Sequence, residues 1–529
     1  MARADLVVAD VLVVDGGGAP PFAGAVAVGG GRVTAVVAGG SPLPAARRTI
    51  DGAGRCLAPG FVDVHTHADH LPFVDPGMAA TLRQGVTTVV VGNCGVSLWP
   101  PGDLDMFAPF LAGRPGVGAW RRYADYLAAL ARCRPAVNVA TLVGHGTVRG
   151  HVMGRARRPP SGAERERLRA LVAGAVAAGA CGVSSGLVYA PGMYADEDEL
   201  VAVAEGAAAH GGLYASHVRG EGRLLFAALD EAVAVGRRAG LPVHVSHLKL
   251  EGRSQWGRVG EAFARLAGHD ATADQYPYTA WMTDLASFLP PWAPVERLPA
   301  LLADAPGRRR LLHAIEHGED DWQSSVEDCE WSDIVLASGV PAAWVGRDLA
   351  AVAADLGLAP AEAVARLLCD HPQAFVIGHA MSEDDVRAIL ARPEVFVASD
   401  GMPLPGVGAG AASPGEAVLD HPRSYGTFPR VLGRYVRDLG LLPLEMAVRK
   451  MTALPAARFG LAGRGRVAEG AWADLVLFRP DEVAEGGDFG APWRPPRGVD
   501  VVVVNGAVAW EDGAVRARAG RVLRRGTDA

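Results

Sequence analysis

The two ends of the chain share one hydrophobic pattern, and the middle has another. Residues 5–57 form short apolar runs broken by glycine, such as LVVADVLVVDG and GAVAVGGGRVTAVV, and residues 465–525 repeat this texture in GVDVVVVNGAVAWEDG. Short alternating strands with glycine-rich turns indicate a small β-sheet unit. Because chain ends often lie close in space, we expect residues 1–57 and 455–529 to form one small β-sandwich domain.

In the middle, over residues 58–454, strand-like runs alternate with helical ones. Eight strand-like runs cover 61–67, 87–94, 137–145, 181–187, 212–217, 242–248, 271–276 and 395–400. Helical stretches such as 162–179 and 222–239 separate most of them. This alternation predicts an α/β fold, a (β/α)₈ TIM barrel with a parallel sheet. A ninth run, FVIGHA at 375–380, does not fit the count, and we place it in an excursion before the last strand.

Two long segments lack a regular pattern. Residues 283–345 are rich in proline, tryptophan and acidic residues, and residues 402–424 are rich in glycine and alanine. Long loops in compact domains are usually functional or mobile. Both segments follow late strands of the predicted barrel, at the face where barrel active sites lie. We therefore expect an inserted subdomain or lid at about 283–345.

Composition narrows the function classes. The 529 residues carry a net charge of −7 and no run of Lys or Arg, which argues against nucleic-acid binding. The N-terminus lacks the pattern of a signal peptide, and no apolar stretch of about 18 residues predicts a membrane span. Six scattered cysteines without a CxxC pair suit a reducing cytoplasm. We expect a cytoplasmic protein that acts on a small molecule, with its oligomeric state left open.

The sharpest local feature is the sequence PGFVDVHTH at 59–67. Residues two apart on a strand point to one face. His65 and His67 can therefore hold one metal ion while Val62 and Val64 pack outward against helices. An HxH pair by itself can be two unrelated polar residues, but this pair ends the first strand of the predicted barrel, where ligands belong.

Four further strands end in a side chain of the metal-ligand type, namely Cys94, His217, His247 and Asp400. A lone histidine at a strand end is more often a hydrogen-bonded structural residue than a ligand. Such groups on five of eight strand ends are hard to ascribe to chance. Imidazole, thiolate and carboxylate together suit Zn²⁺. His244, also on the sixth strand, is expected to face away from the site.

These residues, in this order, resemble the amidohydrolase superfamily, and most closely its D-aminoacylase (N-acyl-D-amino-acid deacylase) branch. The motifs span nearly the whole chain and read GRCLAPGFVDVHTHAD, QGVTTVVVGNCGVS, LVGHGTVR, SSGLVYAPG, SHVRGEG, HVSHLKLEG, YPYTA with LPPWA, SDG and HPRSYGTFPRVLG. The C-terminal GRVAEGAWADLVLF resembles the β-sheet domain of such hydrolases. The resemblance implies hydrolysis of N-acyl-D-amino acids to a carboxylate and a free D-amino acid.

The resemblance also implies the metal ligands. By position, Cys94, His217 and His247 match the ligands of a tightly held zinc, whereas His65 and His67, with the aspartate of the SDG motif, match a second and weaker position. Many superfamily relatives bridge two metals with a carboxylated lysine on the fourth strand. That strand here reads CGVSSGLVY and has no lysine. This difference argues against a hydantoinase-like or dihydroorotase-like enzyme.

For the reaction, the resemblance implies that Asp400 is both a metal ligand and the catalytic residue. Zinc lowers the pKa of a bound water toward about 7 and polarises the amide carbonyl. Asp400 would accept the water proton and pass it to the departing amine. The alternative for this residue is a structural aspartate that caps a turn.

Substrate-binding residues follow from the same resemblance. Lys249 and Arg423 match the positions that hold the substrate carboxylate, assisted by Tyr189 and Tyr278. Lys249 is one of only two lysines in the chain, although it could also be a surface lysine on a loop. His145, in GHGTVR, either polarises the carbonyl or binds the acyl group, or else is structural.

Three departures from the family pattern leave the substrate open. A glycine- and alanine-rich insertion occupies 406–419, Trp281-Met282 follow YPYTA, and Gly220 stands where an acidic residue is common. They favour a second hypothesis, an enzyme with the same metal site that cleaves another amide, such as a cyclic amide, a dipeptide or an acylated natural product. A non-catalytic metal-binding relative is a third hypothesis, which is disfavoured because all six ligand positions are filled.

Overall fold

The structure, a computed structural model, describes residues 3–102, 105–407 and 418–527. Its strands are β1 (Ala4–Val13), β2 (Phe22–Gly29), β3 (Arg32–Ala38), β4 (Ala46–Asp51), β5 (Cys56–Pro59), β6 (Phe61–Asp63), β7 (Val86–Val91), β8 (Asn138–Thr141), β9 (Val143–Gly144), β10 (Gly182–Gly186), β11 (Leu213–His217), β12 (Val243–Val245), β13 (Ala271–Gln275), β14 (Trp281–Asp284), β15 (Ile334–Ser338), β16 (Phe375–Gly378), β17 (Val395–Val397), β18 (Leu475–Phe478), β19 (Val499–Val504), β20 (Ala507–Glu511) and β21 (Ala514–Val515).

Its α-helices are α1 (Leu71–Val74), α2 (Ala79–Leu82), α3 (Ala108–Leu111), α4 (Tyr123–Cys133), α5 (His145–Met153), α6 (Gly162–Ala177), α7 (Glu197–Ala208), α8 (Leu225–Ala239), α9 (Val259–Leu266), α10 (Leu298–Ala303), α11 (Ala305–His317), α12 (Leu349–Leu356), α13 (Pro360–Asp370), α14 (Glu383–Leu390), α15 (Arg423–Arg430), α16 (Leu444–Met451) and α17 (Ala453–Arg458). A π-helix, Val431–Asp438, directly follows α15. The protein is therefore a mixed α/β protein. Within the described ranges, no helix is long and apolar enough to cross a membrane.

Both ends of the chain enter one nine-stranded sheet, as their shared texture predicts. Its order is β21-β20-β19-β18-β5-β1-β2-β3, with β4 paired to β1. The two ends meet in the antiparallel pair β5–β18, where Leu57 lies opposite Leu477. Each leucine is 1% exposed, and both belong to a cluster with valines of β1, β2 and β19. Burial of this apolar face holds the first and last segments of the chain together.

The strands of the eight predicted runs pair in parallel, and each of these runs is confirmed as a strand. β6, β7 and β8 pair in this order, and β9, β10, β11, β12, β13 and β17 follow in a second group. Only Leu142 separates β8 from β9, so these two strands are segments of one extended stretch. The predicted helices at 162–179 and 222–239 are confirmed as α6 and α8. Because the strands are parallel, their carboxyl ends meet on one side of the molecule.

The segments that follow the first and the last parallel strand also lie side by side. Thr66 and Gly401 form a parallel bridge, and the Thr66 hydroxyl donates to the Gly401 carbonyl at 2.8 Å. The Asp63 carboxylate accepts from the Ser399 amide at 3.0 Å and from the Ser399 hydroxyl at 2.5 Å. These bonds bring the carboxyl end of β6 next to that of β17.

The chain between β13 and α14 forms a separate three-stranded antiparallel sheet, in the order β14-β16-β15. The run at 375–380 lies here as β16, which confirms that it does not belong to the parallel strands. The expectation that 283–345 lacks regular structure is wrong, because this segment contains α10, α11 and β15. Each of these helices has a proline in its first turn, where proline is tolerated and does not break a helix.

The second segment expected to be irregular, 402–424, is described only in part. Residues 408–417, most of the 406–419 insertion, lie outside the described residues. After them the chain resumes at 418, and Arg423 is the first residue of α15. Arg423 is thereby carried on a helix next to the carboxyl ends of the parallel strands.

Candidate active site

Six side chains of the metal-ligand type meet at the carboxyl ends of the parallel strands. They belong to His65, His67, Cys94, His217, His247 and Asp400, and each of these residues as a whole is at most 7% exposed. The Cys94 sulfur lies 3.2 Å from His65 Nε2 and 3.5 Å from His247 Nε2. His247 Nε2 lies 2.9 Å from His217 Nδ1. Asp400 Oδ1 lies 3.2 Å from the Nε2 atoms of both His65 and His67. The structure thus brings together all six ligands expected from the sequence.

Three of these residues have a left-handed backbone, with φ of 50° at Cys94, 35° at His247 and 48° at Asp400. This conformation costs a non-glycine residue on the order of 1–3 kcal/mol, and it persists only where neighbours hold it. Here the His247 amide donates to Asp274 Oδ1 at 2.9 Å, and the Asp400 amide donates to the His65 carbonyl at 2.7 Å. The turn after each strand therefore directs its side chain into the common site.

Charge within the cluster favours a bound cation. Burial raises the pKa of the Cys94 thiol, but His65 and His247 outweigh burial and hold this pKa well below its usual value. Burial lowers the pKa of His67, but the Asp400 carboxylate and Cys94 outweigh burial and raise it to about 9. The thiolate and the carboxylate therefore draw protons onto the imidazoles. A metal cation takes the place of such protons when it binds.

The sequence reasoning missed Asp274, the buried carboxylate of β13. Its Oδ2 lies 3.2 Å from His65 Nδ1 and 2.8 Å from His244 Nε2. Asp274 orients His65 so that Nε2 faces the cluster. His244 does not enter the cluster, as expected, but it supports Asp274 from behind. The position of Asp274 near the end of the predicted strand 271–276 is the signal that could have revealed it.

Glu221 is the second missed carboxylate. It lies four residues after His217, in the motif where only the neighbouring Gly220 drew attention. Its Oε1 lies 3.0 Å from His247 Nδ1 and 2.5 Å from Lys249 Nζ. Its Oε2 lies 3.8 Å from His217 Nε2, which is longer than a hydrogen bond. Glu221 therefore contacts the outer sides of two expected metal ligands.

Both cations expected to bind the substrate carboxylate lie beside the cluster. Arg423 Nη1 is 2.8 Å from Asp400 Oδ2, and Lys249 Nζ is 2.8 Å from His247 Nδ1. Lys249 is 4% exposed, so it is not a surface lysine on a loop. The ring of Tyr276 lies near both cations, 4.6 Å from Arg423 Cζ and 5.6 Å from Lys249 Nζ. Among the described residues, the Tyr276 hydroxyl has no hydrogen-bond partner.

Tyr278 was expected to help bind the substrate, but its hydroxyl is engaged elsewhere. It lies 3.0 Å from Glu485 Oε2 and 3.4 Å from the Pro422 carbonyl. The Tyr278 amide donates to the Tyr276 carbonyl at 3.0 Å, which closes a tight turn at Pro277. Because of this turn, the ring that lies near both cations is that of Tyr276 and not that of Tyr278.

Tyr189 and His145 have different surroundings. The Tyr189 ring packs edge-on against His217 with 5.1 Å between ring centroids, and its hydroxyl lies 3.1 Å from the Thr283 hydroxyl. Tyr189 is thus at the site. His145 Nε2 instead lies 2.8 Å from a carboxylate oxygen of Glu199, which also pairs with Arg149. These buried contacts favour the structural alternative for His145.

Trp281 and Met282, expected to reshape the pocket, both lie on β14 but have different surroundings. Trp281 belongs to the hydrophobic core of the inserted segment, with 6.1 Å between the centroids of its ring and that of Phe288. The Met282 side chain packs in a separate cluster with Ala280 and Ile377, and its carbonyl accepts from Arg423 Nη2 at 3.3 Å. The backbone of Met282 therefore contacts the site, whereas the Trp281 side chain fills the inserted segment.

The donor set fits zinc. One ligand atom from each of His65, Cys94, His247 and Asp400 lies within 4.8 Å of the others. Donors around one tetrahedral zinc are about 3.2–3.8 Å apart, given Zn–N and Zn–S bonds of about 2.0–2.3 Å. Imidazole, thiolate and carboxylate are the donors that zinc accepts. With little movement, the residues present can hold a zinc ion.

Comparison with known proteins agrees with this geometry. The sequence profile of the amidohydrolase family matches residues 48–509. The chain is 38% identical to a D-aminoacylase of Alcaligenes xylosoxydans xylosoxydans over 98% of both chains. It is 39% identical to an N-acyl-D-glutamate deacylase of the same organism, over 99% of this chain and 97% of the other.

A solved structure gives the same result. The N-acyl-D-glutamate deacylase of Bordetella bronchiseptica, crystallised with zinc and a phosphonate inhibitor that mimics the tetrahedral intermediate, is 34% identical. It superimposes with a TM-score of 0.82 and covers 99% of this chain and 100% of its own. The matches extend over almost the whole chain and include the strands that carry the six clustered side chains. The protein therefore belongs to the amidohydrolase family, in its D-aminoacylase branch.

Proposed function

We propose that this protein is a zinc-dependent hydrolase that cleaves the amide bond of N-acyl-D-amino acids and releases a carboxylate and a free D-amino acid. The observation that carries the proposal is the contact between Arg423 and Asp400 at 2.8 Å, beside the cluster of ligand atoms. It places a carboxylate-binding group within reach of the metal ligands. The activities named for the full-length relatives support this substrate class.

In this proposal Cys94, His217 and His247 hold the tightly bound zinc. His65, His67 and Asp400 form a second, weaker position. The Cys94 sulfur lies 3.2 Å from His65 Nε2 and 3.5 Å from His247 Nε2, so the thiolate would be close to the ligands of both positions. Asp274 contacts the outer nitrogen of His65 and orients this ring.

The chemistry depends on Asp400. Zinc supplies Lewis acidity at this site, because it lowers the pKa of water toward about 7 and polarises a carbonyl. Burial raises the pKa of Asp400, but Arg423, His247 and His65 outweigh burial and hold it well below its usual value. Asp400 is thus ionised and accepts the proton of the attacking water at a carboxylate oxygen. The same oxygen then returns the proton to the departing amine nitrogen.

The substrate carboxylate binds between Arg423 and Lys249. A guanidinium can grip a carboxylate with two parallel hydrogen bonds, and an ammonium adds a point charge. The Tyr276 ring lies near both cations, and its buried hydroxyl is available as a donor to the same carboxylate. Tyr189, against His217, forms another wall of the site.

We further propose how the chain divides into domains. The eight parallel strands close into a (β/α)₈ barrel spanning 58–454, and the bridge between Thr66 and Gly401 supports this closure. The chain-end strands form a small β-sandwich domain from 1–57 and 455–529, supported by the β5–β18 pairing. The insertion near 283–345, with its own hydrophobic cluster, acts as a subdomain or lid over the site.

Activity against a panel of N-acetyl D- and L-amino acids tests the substrate, with wild-type protein and Arg423→Ala in parallel. We expect cleavage of D-substrates by the wild type and a loss of at least about 100-fold in kcat/KM for Arg423→Ala. Cleavage only of amides that lack a free carboxylate would contradict the proposal and favour the alternative substrates. Metal analysis of Asp400→Ala tests the mechanism, since zinc should stay bound while turnover disappears.

A further inference from the structure

Glu221 has no role in the reaction proposed above, although it lies beside residues that have one. It follows β11, and its side chain is 12% exposed. Its carboxylate lies on the outer side of the cluster, away from Cys94. Within 4 Å it has three nitrogen atoms, those of His247 Nδ1, Lys249 Nζ and His217 Nε2. The Glu221 carboxylate is therefore close to two expected zinc ligands and to the lysine expected to bind the substrate carboxylate.

The geometry determines which nitrogen of His247 is free for a metal. His247 turns Nδ1 toward Glu221 and Nε2 toward Cys94 and His217. His217 has the opposite orientation, with Nε2 toward Glu221 and Nδ1 toward His247. In a neutral imidazole one nitrogen carries the proton and the other has the lone pair. Glu221 is at hydrogen-bond distance from His247 Nδ1, and acceptance of that N–H leaves Nε2 of His247 as the ligand atom. The contact with His217 Nε2, at 3.8 Å, is electrostatic only.

Lys249 adds a constraint on the proton of His247. Its Nζ lies 2.8 Å from His247 Nδ1, and an ammonium can only donate. His247 Nδ1 can accept from Lys249 or donate to Glu221, but not both. When a metal takes the lone pair of Nε2, Nδ1 must carry the proton and donate to Glu221. Lys249 then keeps Glu221 as its partner and has N–H groups left for a substrate carboxylate.

We propose that Glu221 is a positioning residue that selects the metal-binding tautomer of His247 and holds Lys249 beside this histidine. This inference rests on the proposed zinc-dependent function and deepens it. Carboxylates that accept the outer N–H of a ligand histidine typically contribute 10- to 100-fold to metal affinity. Because Glu221 contacts His247, its effect falls on the tightly bound zinc.

The test is the zinc affinity of the full-length protein, measured by competition of the metal-free form with a chromogenic chelator. In Glu221→Gln a neutral carboxamide replaces the carboxylate that accepts from His247 Nδ1. We expect zinc affinity to fall about 10- to 100-fold. The absorption band of cobalt bound to the Cys94 thiolate should shift in the substituted protein. The control is Glu231→Gln, ten residues after Glu221, which removes a carboxylate that pairs with Arg219. This variant should retain the wild-type zinc affinity and cobalt spectrum.

Glu221→Asp keeps the charge but retracts it by one methylene, and it should lower zinc affinity several-fold. If Glu221→Gln does not fold, the zinc affinity of Glu221→Asp provides the test instead. Wild-type zinc affinity and an unshifted cobalt spectrum in either variant would overturn the inference while the proposed function stands. A wild-type protein that binds no zinc would overturn both.

Discussion

The guanidinium of Arg423 and the carboxylate of Asp400 form a buried ion pair, with 2.8 Å between Nη1 and Oδ2. Their side chains are 6% and 8% exposed. The same arginine thus contacts the proposed proton acceptor and borders the space for the substrate carboxylate. It therefore links substrate binding to the ionisation of Asp400.

Replacement of Arg423 by lysine should separate charge from geometry. Arg423→Lys keeps a positive charge near Asp400 but loses the planar fork that grips a carboxylate. We expect kcat/KM for an N-acetyl-D-amino acid to fall about 10- to 100-fold, mostly through a higher KM, with zinc content unchanged. Steady-state kinetics and metal analysis measure both. The control is Arg430→Lys, which pairs with Glu485 away from the ligand cluster and should change KM little.

Cys94 and Cys181 are both buried, yet only Cys94 should matter for the metal. Neighbouring imidazoles lower the pKa of Cys94, whereas burial raises the pKa of Cys181 to about 11. Cys94→Ala should lower zinc affinity by at least about 100-fold, because zinc loses a thiolate ligand. Cys181→Ala should keep full zinc content and lose only packing. Equal zinc binding by both variants would contradict the ligand assignment.

Substitutions of Tyr276 and Tyr278 test which of the two tyrosines borders the substrate site. Tyr276→Phe should raise KM about 3- to 10-fold, because its buried hydroxyl has no partner among the described residues and its ring lies beside Arg423. Tyr278→Phe should leave KM nearly unchanged and cost about 1 kcal/mol of stability, since its hydroxyl contacts Glu485. Steady-state kinetics and denaturant unfolding test the pair. A higher KM for Tyr278→Phe, with the KM of Tyr276→Phe unchanged, would contradict the assignment of Tyr276 to the substrate site.

Glu251 should make stability depend on pH. Burial, reinforced by Glu221, raises its pKa from 4.5 to about 8. From pH 4.5 to 8 the unfolded chain has released this proton while the folded protein retains it, so stability falls as pH rises through this window. Glu251→Gln stays neutral and removes the penalty. We expect a gain of about 2–3 kcal/mol in the free energy of unfolding at pH 7 and almost none at pH 4.5.

Denaturant unfolding at these two pH values measures the effect of Glu251→Gln. The exposed Glu166, paired with Arg169 on α6, provides the control. Glu166→Gln should change stability by less than about 0.5 kcal/mol at either pH. A Glu251→Gln variant with the same stability difference at both pH values would show that this carboxyl group is ionised in the fold.

Much of the site could be predicted from the sequence because strands are local. A period of two identifies which residues share a face, and a strand end identifies where polar groups collect. The sequence indicated six candidate ligands on this basis, and the structure brings them into one cluster, namely His65, His67, Cys94, His217, His247 and Asp400. The matching texture of the two chain ends likewise predicted their common sheet.

Other features depended on the tertiary structure. The tight turn at Pro277 decides that Tyr276 faces the two cations, since strand alternation stops at Gln275. The contacts of Glu221 and Asp274 join residues from different strands and loops, and no periodicity along the chain encodes them. Local pattern therefore determined which side chains gather at the strand ends. Packing between distant segments decided which atoms of those side chains face the ligand cluster and which contact Asp274 or Glu221.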